Sequence, residues 1–169
     1  LATGQISGIT TEGIAALGTD QVRVLASAQL AALTTEQVAA FETTDLRALT
    51  TLAVTGLTTL GMQALSSEQI GALTTSQMRA LTSTQMAAMT TDQIAAIATD
   101  DIASLGTSAL RAITTDGIQA LTSEQVALLS TAQVAALSTL QMAAIETDDV
   151  LALTTTQLRA LGSAQLRAL

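Results

Sequence analysis

Hydroxyls, amides and carboxylates are the side chains from which this chain could build chemistry, because its 169 residues include no His, Cys, Lys, Tyr, Trp, Pro or Asn. A Ser or Thr nucleophile needs a neighbouring base, and the bases that usually serve are missing. Clustered carboxylates could instead take calcium, which favours several oxygen ligands. Three groups qualify: Glu42 with Asp45, Asp100 with Asp101, and Glu146 with Asp148 and Asp149. None has the glycine-turn spacing of an EF-hand or of nonapeptide calcium repeats. The expectation is therefore a protein that is not an enzyme, with no catalytic, cofactor-binding or metal site and no cofactor, and an unlikely small-molecule binder. One surface feature remains: Leu52, Leu60, Leu140 and Leu151 interrupt mostly polar or small positions and could form an apolar patch for a partner.

The elements that would carry these residues follow from an eight-residue repeat. From Leu1 through Ile9, Leu17 and Leu25 to Leu161 and Leu169, every eighth residue is large and apolar. A second apolar column lies five residues later, at Ile6, Ile14, Val22 and Leu30 and on to Leu158 and Leu166. The third octad position is always Ser or Thr, the fifth is most often Gln, and the eighth is nearly always Ala or Gly. The idealised octad reads L-T-T-x-Q-V-x-A. Its register never slips, which predicts one uninterrupted unit over residues 1–169, expected to be a fragment of a longer array.

A single straight helix is excluded, because about 800° of rotation per octad would carry each apolar pair about 80° from the last. The chain must bend once per unit. In Leu33–Val38, Thr34 can cap a helix, Gln37 can answer it three residues later, and Leu33 can staple against Val38. Charge gives an independent sign: all 14 acids lie at positions two, four or five and all six Arg at position seven, the order a helix dipole favours. These features predict an all-α helical solenoid of very short helices, one per octad. The alternative is a Thr-rich β-solenoid, favoured by Thr, Val and Ile but opposed by Ala and Gln.

The Ser or Thr at position three could be the true cap in place of position two, or could bond to a neighbouring unit. One octad cannot bury enough to fold alone, so stability must come from stacking. Small residues at position eight would let coils approach. Two octads per coil is the first choice, giving a length of about 100 Å at roughly 10 Å per layer, with four per coil halving it. A longer echo also exists: Asp45, Ala53 and Gly61 replace Gln in successive units, as do Asp101, Ala109 and Gly117, 56 residues on. Segmental duplication explains it most simply, and a repeated site is the other reading.

A net charge of -8 with Arg as the sole cation argues against nucleic acid and anionic membranes as partners. Polar residues break every apolar run well short of the roughly 18 needed to insert in a membrane. Without Cys the sequence carries no trace of redox compartment.

Units such as L-T-T-E-Q-V-A-A (33–40), L-T-S-T-Q-M-A-A (81–88) and L-S-T-A-Q-V-A-A (129–136) resemble the Thr/Gln-rich octapeptide arrays of large bacterial secreted or surface proteins of the adhesion or haem-utilisation kind. That resemblance covers the whole chain. It implies an extracellular or cell-surface location and a role as spacer, stalk or filament-forming segment, with self-association or neighbouring repeats and domains of a longer chain as partners. It transfers no haem ligand, since neither His nor Tyr is present. The second functional expectation is an adhesive or ligand-binding module that presents a regular Thr array to a repetitive target such as polysaccharide or ice. Burial or exposure of the position-three column separates the two.

Overall fold

The computed structural model describes residues 3–169; Leu1, first of the apolar column, and the side chain of Thr3 lie outside the described residues. Twenty-one helices of four to six residues follow one another, from α1 (Thr3–Ile6) to α21 (Ser163–Leu166), one per octad, with no strand among the described residues. The chain is an all-α solenoid. The β-solenoid alternative is overturned.

Each helix starts at octad position three, and the residue at position two is the cap. Thr34 is extended (φ -74°, ψ 165°), and its Oγ1 accepts the Gln37 backbone N–H at 3.2 Å. This settles the choice between the two hydroxyls: position three is the first helical residue. The helix stops within a turn because position one returns to the extended region. Between α6 (Thr43–Ala48) and α7 (Thr51–Val54), for instance, Leu49 has φ -57° and ψ 140°, and Thr50 has φ -69° and ψ 155°. No described residue, glycine included, has positive φ. The corners are thus made by two extended residues and not by the left-handed glycine that commonly ends a helix.

Such a corner redirects the chain without reversing it, and this corrects the expectation of two octads per coil. Every helix packs on the third helix before it and the third after it: α1 on α4 (Ser27–Ala31), α4 on α7, α7 on α10 (Thr75–Ala80), and so to the end. A hairpin of helices would have paired each with its second neighbour. Three to four corners close a coil, so each turns the path by about 90–120°, within the usual range for helices joined by short turns.

The core is a continuous column inside this coil. Position six is fully enclosed through most of the chain, as at Ile6, Ile70, Ile94 and Val134, all 0% exposed, and position one closes the corners, with Phe41, Leu65 and Leu121 buried. Positions two, three and four, with position seven, form the outer surface. Acids fall in first turns, such as Glu36, Asp92 and Glu124, and Arg in last turns, such as Arg47, Arg79 and Arg159, in line with the helix dipole.

Candidate functional site

The most strongly organised polar side chain is the Gln at position five, and it works in two directions. In α10 the Gln77 Oε1 accepts the Thr74 backbone N–H at 2.8 Å, while Thr74 Oγ1 accepts the Gln77 N–H at 3.3 Å. This reciprocal pair satisfies two donors that a helix start leaves open. The other end of the amide faces the preceding coil. Gln77 Nε2 donates to the carbonyls of Leu46 at 2.7 Å and Leu49 at 2.8 Å, at the end of α6. One side chain thus caps the N-terminus of its own helix and the C-terminus of the helix four before it.

The arrangement repeats along the stack. Gln93 reaches Met62 and Leu65 at 2.7 and 2.6 Å, Gln133 reaches Ile102 and Leu105 at 2.9 Å each, and Gln157 reaches Val126 and Leu129 at 3.1 and 2.7 Å. These Gln residues are buried, and among the described residues no buried side-chain N or O lacks a hydrogen-bond partner. A buried amide costs stability unless it is bonded, and here its donors and acceptor meet opposite needs of two helix ends. Sequence reasoning found the first half of this role and missed the second. Bonds spanning 28 and 31 residues, together with packing at the third helix, place the coil length between three and four octads.

The substituted units follow from this. Where position five is Asp, the hydroxyl cap is also missing: Glu42, Ala98 and Glu146 precede Asp45, Asp101 and Asp149, and none makes a side-chain cap bond. All three Asp are buried. Burial, then the nearby charge of Glu42, pushes the Asp45 carboxyl above its usual range. Asp149 accepts a hydrogen bond from Ser123 Oγ at 2.5 Å across the coil. The Asp-Ala-Gly echo of 56 residues corresponds to about two coils, so both triplets face nearly the same side of the stack. Loss of the amide lets the coils close up: a Cβ placed on Gly56 would sit 2.1 Å from the carbonyl oxygen of Ser27.

The acid groups do not converge further. Among the described residues, no group of three carboxylates could hold a metal ion. Glu146 lies in a groove with Thr147, Asp148 and Gln119, whose Nε2 donates to Glu146 at 3.3 Å. At helix starts, Glu12 and Glu36 sit below the usual carboxylate range because backbone N–H groups and then the Thr10 and Thr34 hydroxyls hold the charged form.

The position-three hydroxyls lie on the outside. Thr51, Thr59, Thr91 and Thr131 are exposed, and Thr35 and Thr43 are half-buried. Three serines of this column bond across coils: Ser67 to the Asp92 carbonyl at 3.4 Å, Ser83 to that of Ser108 at 3.5 Å, and Ser123 to Asp149. Leu52, Leu60, Leu140 and Leu151 are 70, 64, 73 and 79% exposed. Leu52 on α7 and Leu60 on α8 (Thr59–Ala64) sit on successive helices, which face different sides of the coil, so one patch does not contain both. Val24, 77% exposed, is a further apolar surface residue. No helix is long and apolar enough to cross a membrane among the described residues.

Comparison with known proteins finds no curated protein that matches the chain. The ALTTAQ repeat matches at residues 38–75, 70–99, 94–131 and 142–169, a tandem arrangement. Its letters follow octad positions eight through five, as in Ala72-Leu73-Thr74-Thr75-Ser76-Gln77: the small residue at the coil contact, the core Leu, the cap, the first helical residue, a surface residue and the two-way Gln. With more than half of its residues inside those matches, and with each letter holding its own place in the coil, the chain belongs to the ALTTAQ repeat family.

Proposed function

We propose that this chain is a structural repeat module, an extended spacer or stalk within a bacterial secreted or surface protein, whose partners are neighbouring repeats and domains. The uniformity of the coil contact supports it most: the same packing, third helix on third helix, runs from α1 to α21. A binding or catalytic protein would be expected to break its scaffold at a site. No enzymatic role belongs to this reading, because the hydroxyls and amides already serve as caps. The surface location rests on the resemblance of the octads.

Length should then be proportional to octad number. About six coils at roughly 10 Å per layer give a rod of about 60 Å. Small-angle X-ray scattering on this chain and on a tandem fusion of two copies should show the longest dimension doubling while the cross-section stays constant. A fusion that collapses into a wider particle would refute the spacer reading.

The exposed hydroxyls at positions two and three favour a second reading, a surface for a regular target such as polysaccharide or ice. With three to four corners per coil these hydroxyls point to all sides of the rod. Only one side could meet a flat target, which is why this reading stands second. Ice-growth inhibition or retention on a polysaccharide matrix would promote it.

A further inference from the structure

The two faces of a coil are chemically unlike. On the face that meets the following coil stand the position-six side chains and the carbonyls at helix C-terminal ends; on the face that meets the preceding coil stand the position-one side chains and the Gln amides. Inside the stack each covers the other. The terminal coils show both uncovered: Leu166 is 50% exposed and Val150 and Leu158 are half-buried, whereas Val134 and Met142 in the same column are fully enclosed. At the other end Ile9 and Leu17 of the position-one column are half-buried. The carbonyls of Ile145, Leu153 and Leu161 meet no Gln amide, while Gln21, exposed, gives its Oε1 to the Gly18 N–H and has no coil before it.

We infer that these faces are a polar pair of docking surfaces whose occupant is a second copy of this chain, joined head to tail so that one continuous coil results. The partner is specified by the chemistry that already binds coil to coil: apolar position-one residues over position-six residues, and Gln amides on helix-end carbonyls. Contact between unlike surfaces does not close on itself, so growth is open-ended and concentration-dependent. This goes beyond the spacer reading, which holds for a single rod as well as for a joined one.

Blocking one face at a time tests both the contact and its polarity. Leu166→Glu puts a carboxylate on the exposed residue of one face, and Gln21→Glu keeps the local cap but turns an acceptor toward the carbonyls it would meet. By sedimentation velocity the unmodified chain should grow in size with concentration, each variant alone should stay a monomer, and an equimolar mixture of the two should stop at the dimer. Unchanged melting temperatures show that both variants fold. A chain that stays monomeric at every concentration, a variant that polymerises alone, or a mixture that remains monomeric would each overturn head-to-tail joining.

Discussion

Gln77 has four partners in three directions, and its energetic role follows from what would replace it. In a Gln77→Glu variant the capping acceptor survives, but a carboxylate oxygen faces the Leu46 and Leu49 carbonyls in a site that is 1% exposed. Losing donors to buried acceptors should cost about 2–3 kcal/mol at neutral pH. Acidification should recover part of this, because the protonated acid regains one donor; chemical denaturation at two pH values reads it. Asp45 poses the same problem naturally. Its folded carboxyl titrates above the ordinary value of 3.8, first through burial and then through Glu42, so its charged form opposes folding. Its contribution is most favourable below the ordinary value and is lost as pH rises through the raised one. Asp45→Asn should therefore raise the melting temperature at neutral pH, with a gain that fades as pH falls toward 4. A gain that is constant with pH would show that the charge is not the cause. The sequence made the Gln cap legible, since Thr and Gln stand three residues apart. The amide's second partner left no local sign, because it lies 28 or 31 residues away in a chain whose pattern repeats every eight.

At the scale of the helix, the octad spelled out nearly everything. The two apolar columns are the core, the acids and Arg sit at the ends the dipole prefers, and position two caps. What the octad could not convey was the corner angle, because two extended residues look alike in sequence whether they reverse a chain or bend it. The 56-residue echo was the available signal, since it matches about two coils. Close approach is testable here. Gly56 lies against the Ser27 backbone with no room for a Cβ, so Gly56→Ala should destabilise by a few kcal/mol, because the obstacle is main chain and cannot rotate away. Ala96→Phe should cost a similar amount. Its half-buried side chain lies at a coil contact, where a Cβ on Gly71 would come within 3.2 Å of the Ala96 carbonyl. An unchanged melting temperature in either variant would mean that the coils separate at little cost.

For the whole molecule, the repeat makes register the quantity that matters. Inserting one further octad after Ala120 leaves every helix with a partner three helices away and every Gln in phase, so the melting temperature should be close to that of the parent. Inserting four residues at the same point moves Gln125, Gln133 and Gln141 out of reach of the carbonyls they bond, and cooperative unfolding should split into two transitions in a calorimetric scan. The same coil-to-coil bonds have a mechanical consequence. They lie between layers that follow one another along the rod, so a pull on the two ends loads the layers in series and the weakest gives way first. Each released octad adds slack before the next must yield. A folded rod of about 60 Å holds a chain whose extended length is nearly 600 Å at about 3.5 Å per residue. Under tension the array would lengthen close to tenfold in small steps, limiting the peak force that reaches whatever is tethered at either end.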